Sequence, residues 1–66
     1  MTVIVNGRPH ELEDGDTVAA LLARLGVAGS YALVERNGEA VGRGVYGETE
    51  LADGDRLVIA RPVAGG

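Results

Sequence analysis

The sequence predicts an α+β domain: a mixed sheet of about five strands with one helix packed across one face. Val18, Leu21, Leu22 and Leu25 fall at i, i+3, i+4 and i+7, the spacing of a single helical face. Short runs rich in β-branched residues stand on both sides of that stretch. Asn-Gly, the strongest short signal for a hairpin, occurs at Asn6-Gly7 and again at Asn37-Gly38.

In chain order, Thr2 to Asn6 opens as a strand. Asn6-Gly7-Arg8-Pro9 is a turn, and His10 to Glu13 returns as the second strand. Asp14-Gly15-Asp16 leads into the helix, with Thr17 or Asp16 as N-cap. Arg24 suits the negative end of the helix dipole, and Gly26 is the expected left-handed stop. Tyr31 to Arg36 is a third strand, and Glu39-Ala40-Val41 returns from it. Gly42 to Gly47 is irregular, with Tyr46 as its anchor, and Leu51 packs inward. Asp53-Gly54-Asp55 turns into a last strand, Arg56 to Arg61, which Pro62 ends. A hairpin, a crossover helix, a second hairpin and a final strand describe a β-grasp fold, with the first and last strands parallel at its centre. Residues 1–66 make one such domain, with a flexible tail over 63–66.

Composition narrows the function. The chain has 66 residues, 10 acidic side chains against 6 arginines and no lysine, for a net charge of −4. Such a surface does not suit a nucleic-acid backbone and favours a basic protein partner. There is no cysteine, hence no disulfide framework, thiolate metal site or cysteine nucleophile. No apolar run approaches the ~20 residues that span a bilayer, and no targeting signal is visible, so no membrane role and a cytoplasmic location are expected.

Alternation along the strands assigns their faces. Glu35 faces solvent and takes Leu33 with it, while Ala32 and Val34 face the helix. Leu57 and Ile59 are the core residues of the last strand, leaving Val58 and Ala60 outside. With Val3 and Val5 inward, Ile4 is outward. The outer face thus gathers Ile4, Leu33, Val58 and Ala60, an apolar group that suggests a surface for a partner.

Catalytic constellations are almost absent. His10 is the only histidine and Ser30 the only serine, too little for a nucleophile with its base. Glu11, Glu13, Asp14 and Asp16 read as a solvated hairpin and helix start, without calcium-loop spacing. Gly38, Gly42 and Gly44 lack the lysine and the long helix of a phosphate loop and serve turns. No catalytic residue and no metal ligand is expected.

The chain ends Val63-Ala64-Gly65-Gly66, directly after the last strand. Two residues without Cβ make a thin thread that can enter a narrow channel and present a carboxylate there. A carboxylate resists nucleophilic attack, but adenylation gives it a good leaving group, AMP. A persulfide sulfur can then attack, leaving in the end a thiocarboxylate. The chain would be a group carrier, the role coenzymes usually fill, and its partners would be the enzymes.

Val3-Ile4-Val5-Asn6-Gly7, Thr17-Val18-Ala19-Ala20-Leu21-Leu22, Val34-Glu35-Arg36-Asn37-Gly38, Val41-Gly42-Arg43, Leu51-Ala52-Asp53-Gly54-Asp55 and Val63-Ala64-Gly65-Gly66 together resemble the ThiS family of sulfur carriers in thiamine (thiazole) biosynthesis. The resemblance runs the length of the chain. It implies a ubiquitin-like β-grasp fold in a carrier that binds no cofactor of its own. It implies adenylation of Gly66 by a ThiF-like adenylyltransferase that uses ATP and Mg²⁺, with Gly65 as the partner glycine of the tail. It implies sulfur from a cysteine desulfurase or a rhodanese-type donor, and delivery of the Gly66 thiocarboxylate to thiazole synthase (ThiG). Partners would meet the outer face, Ile4, Leu33, Val58 and Ala60, together with Val63 and Ala64. Two positions depart from the family pattern: Gly42 stands where proline is frequent, and Val58 where an acidic residue is common. Other readings are a sulfur carrier for molybdopterin synthesis or tRNA thiolation, a ubiquitin-like protein modifier, and a binding module whose tail is incidental.

Overall fold

A computed structural model describes residues 1–27 and 32–61. Tyr31 and the whole of Pro62 to Gly66, with the predicted tail, lie outside the described residues. The strands are β1 (Thr2–Val5), β2 (Arg8–Glu11), β3 (Leu33–Arg36), β4 (Glu39–Ala40) and β5 (Arg56–Ala60), and the helix α1 is Val18–Arg24. The sheet is mixed, in the order β2-β1-β5-β3-β4. β1 and β5 run parallel at its centre and every other neighbouring pair is antiparallel. This is the predicted β-grasp arrangement.

Both hairpins turn on the residues that make a tight primed turn possible. Asn6 and Gly7 have φ of 49° and 85°, and Asn37 and Gly38 have 51° and 87°. The first turn therefore consumes only Asn6 and Gly7, so Arg8 is already paired with Val5 and Pro9 with Ile4. That corrects the expected four-residue turn and moves β2 to Arg8–Glu11. Pro9 is tolerated because β2 lies at the edge of the sheet. Leu12, expected within this strand, follows it and is buried.

Thr17, and not Asp16, caps α1: its backbone is extended and its Oγ1 accepts from the Ala20 N–H at 3.2 Å. The Asp16 carboxylate instead accepts from the Glu13 N–H at 2.9 Å and pairs with Arg24 at 3.3 Å. Past the C-cap Leu25, Gly26 takes φ of 71°, with Gly26 N–H on the Ala23 carbonyl and Val27 N–H on that of Leu22. Those two bonds form a Schellman motif, which satisfies carbonyls the helix leaves open. A helix of 7 residues is too short to persist alone in water. It is held by burying Val18, Leu21 and Leu22, with Leu25 packed beside them.

The core lies between α1 and the inner face of the sheet, where Val3, Val5, Val34 and Leu57 are buried with Leu12, Ala32, Tyr46 and Leu51. Among the described residues no helix is long and apolar enough to cross a membrane. Several strand ends fall short of the sequence reading. β3 begins at Leu33 and Ala32 is buried just before it. β4 stops at Ala40, although the Val41 N–H still reaches the Val34 carbonyl at 2.9 Å. β5 ends at Ala60, opposite the first residue of β3, so Arg61 finds no strand beside it. The irregular stretch contains a 3₁₀ turn, Arg43–Val45. It is pinned by Tyr46, whose buried hydroxyl donates to the Ala32 carbonyl at 2.8 Å.

A candidate partner-docking face

The outer face of the sheet presents the side chains that alternation sends away from α1. Leu33 and Val58 are 51% and 53% exposed, and Ala60 is exposed beside them. Register explains why they meet: Leu33 pairs with Ala60, and Glu35 pairs with Val58 across the same two strands. They floor a shallow open groove of about 280 Å³. Its wall comes from the segment after β4, with Val41, Arg43 and Tyr46 on the lining. Glu35 and Arg43 set one charge of each sign against the apolar floor.

Ile4 is also on the outer face but stands apart from this groove. It is half-buried, in register with Arg56 on one side and Pro9 on the other. The structure thus brings together Leu33, Val58 and Ala60 and separates Ile4 from them. Val63, Ala64, Gly65 and Gly66 lie outside the described residues.

Two polar devices that the sequence reading missed hold the strands beneath this face. Asp55, expected in an open turn, is only 6% exposed. Burial pushes its carboxyl toward the neutral form, but hydrogen bonds prevail and hold it below the usual carboxylate range. They come from the Ala52 N–H at 2.8 Å, the Asn37 carboxamide at 3.0 Å and the Arg36 guanidinium at 2.8 Å. The Asn37 carboxamide also accepts from the Arg56 N–H at 2.9 Å. The second device is Asn6. Its Oδ1 accepts from the Ile59 N–H at 2.9 Å and its Nδ2 donates to the Ile59 carbonyl at 3.1 Å.

Nothing on this face resembles a nucleophile with its base. His10 sits on β2 in register with Val3, and so on the core side. Among the described residues no group of three His, Cys, Asp or Glu side chains is placed to hold a metal ion. What the face offers is an exposed apolar groove that reaches the end of β5.

Comparison with known proteins gives the family. The ThiS family model matches residues 3–66. A thiazole synthase of Magnetococcus marinus is 39% identical and one of Paramagnetospirillum magneticum 38% identical over all 66 residues, and the chain spans 20% of the length of each. The crystal structure of a thiamine biosynthesis protein (ThiS) from Geobacter metallireducens superposes with a TM-score of 0.83 at 35% identity, each chain covered in full. SAMP1 from Haloferax volcanii shares the fold, with a TM-score of 0.60 at 23% identity over 98% of this chain and 97% of that one. With a family match across nearly its whole length and a solved ThiS protein superposing from end to end, the chain belongs to the ThiS family of β-grasp sulfur carriers.

Proposed function

We propose that the chain carries sulfur as a Gly66 thiocarboxylate for thiazole formation in thiamine biosynthesis. The observation that carries this reading is the place of the groove. Ala60, the last residue of β5, lines it, and Gly65 and Gly66 follow six residues on at most. Six residues reach about 20 Å when extended, so an enzyme seated on the groove has the tail within range of its active site. The ThiS family match and the thiazole synthase relatives favour thiazole over other sulfur-transfer pathways.

In this reading a ThiF-like adenylyltransferase, using ATP and Mg²⁺, joins the Gly66 carboxylate to the α-phosphate and releases pyrophosphate. A persulfide from a cysteine desulfurase or rhodanese-type donor attacks the acyl carbon and expels AMP. A thiol then cleaves the acyl disulfide, taking the donor's sulfur into a new disulfide and leaving the thiocarboxylate. Thiazole synthase (ThiG) is the acceptor. The chain itself supplies a docking face and a reactive terminus, and its partners supply the catalysis.

Intact mass tests the reading. Incubation with ATP, Mg²⁺, a ThiF-like enzyme, a persulfide donor and a thiol should add about 16 mass units, the difference between sulfur and oxygen. An unchanged mass alongside a ThiS control that is converted would overturn it. Higher-mass adducts on lysines of other proteins would point to a protein modifier instead.

A further inference from the structure

Strand β5 loses its neighbour on one side before it ends. The parallel ladder with β1 runs through Gly54 N–H to the Thr2 carbonyl, Ile4 N–H to the Asp55 carbonyl and Asn6 N–H to the Leu57 carbonyl. There β1 turns away, because Asn6 and Gly7 adopt the positive φ of the hairpin. Peptide groups in a strand point to alternate sides, and Leu57 points toward β1, so Ile59 does too. Its N–H and carbonyl face the place that β1 has just vacated. The Asn6 carboxamide fills that place and answers both groups, at 2.9 and 3.1 Å. It copies one further rung of the ladder with a side chain. On the other side β5 is still paired with β3, through Val34 with Ile59 and Leu33 with Ala60.

We propose that Asn6 is a positioning residue for the carrier tail: its carboxamide clamps Ile59 and so fixes where the chain leaves the sheet. This rests on the carrier reading. Without the clamp, Ile59 and Ala60 would be held by β3 alone, and the effective lever of the tail would lengthen by up to two residues, about 7 Å of extended chain. Leu33 and Val58 would keep their places in the groove floor, and Ala60 would keep its pairing with Leu33. Docking should therefore survive while placement of the reacting carboxylate suffers, and misplacement of a reacting group by about 1 Å can cost on the order of 100-fold in rate.

Asn6→Gly removes the carboxamide but keeps the turn, since glycine adopts positive φ freely. In the full chain, amide exchange at Ile59 should quicken about tenfold, the effect of one lost hydrogen bond, while Leu57 and Val41, whose N–H donates to the Val34 carbonyl, keep their protection. With the ThiF-like enzyme, ATP, Mg²⁺, a persulfide donor and a thiol, kcat for conversion to the thiocarboxylate should fall about tenfold with KM for the carrier within about twofold. Asn6→Asp keeps the acceptor for the Ile59 N–H and tolerates the turn, and should recover part of both. Ile59 exchange unchanged in Asn6→Gly would overturn the clamp. So would an equal loss of protection at Leu57, which would make Asn6 a residue of the fold, or an unchanged kcat with Ile59 deprotected. Failure of the wild-type chain to be converted at all is a different result and strikes the carrier reading instead.

Discussion

Asp55 joins parts of the chain that are distant in sequence: the β3–β4 turn, through Arg36 and Asn37, and the loop before β5, through Ala52. Its carboxyl is held low by those bonds, so its contribution depends on pH with a definite sign. A carboxylate whose folded pKa lies below its unfolded one, about 4, stabilises fully above that value and loses the contribution as the pH falls through the folded one. Asp55→Ala should cost about 1–3 kcal/mol at neutral pH, the penalty for stripping a buried acceptor from its donors, measured by urea unfolding. The stability gap between the wild type and Asp55→Asn should be constant at neutral pH, narrow once the pH drops below about 4, and close at lower pH. A gap unchanged across that range would show that Asp55 is not held as an anion. None of this was legible in the sequence. Asp53-Gly54-Asp55 looks like any solvated turn, and the partners at Arg36 and Asn37 lie 19 and 18 residues away. Asn6 escaped for the same reason, its partner being 53 residues on. Its Asn-Gly pattern announces a hairpin but not the second task of the carboxamide.

Elements were more legible, because their signals are local. The helical face, its stop at Gly26 and both Asn-Gly turns stand where the spacing and residue types put them. What local patterns do not give is where an element ends, since ends are set by neighbours. β5 stops where β3 begins, and Arg8 joins β2 because the turn before it needs no more than Asn6 and Gly7. The stretch from Gly42 to Gly47 was legible only through Tyr46. A lone aromatic among glycines is an anchor, and its hydroxyl on the Ala32 carbonyl ties the 3₁₀ turn to the entrance of β3. Tyr46→Phe keeps the ring and removes that bond. It should cost about 0.5–1.5 kcal/mol in thermal or chemical unfolding and loosen the wall of the groove. The expected mark is faster amide exchange at Val45, whose N–H donates to the Gly42 carbonyl at 3.1 Å, with Leu21 unaffected. Equal acceleration at both sites would mean that the hydroxyl supports the whole core.

At the scale of the molecule the two faces of one sheet have different work. The inner face and α1 enclose the core; the outer face carries an apolar groove floored by the exposed side chains of Leu33, Val58 and Ala60. The side-chain period of two made this division readable from sequence, and Leu57, 1% exposed, stands next to Val58 at 53%. The groove wall was not readable, since Val41 and Arg43 reach it through a turn with no periodic signal. Val58→Asp should weaken binding to a ThiF-like partner at least tenfold while costing about 1 kcal/mol or less in stability, the span of strand preference at an exposed site. Leu57→Asp should unfold the domain, and a comparable loss from Val58→Asp would return that residue to the core. The parallel pairing of β1 with β5 has a mechanical consequence as well. The first strand starts at one pole of the sheet and the last finishes at the other, so a force drawing these ends apart runs along both strands. It acts as shear, and the bonds from Gly54 to Thr2, Ile4 to Asp55 and Asn6 to Leu57 bear the load together instead of opening one after another.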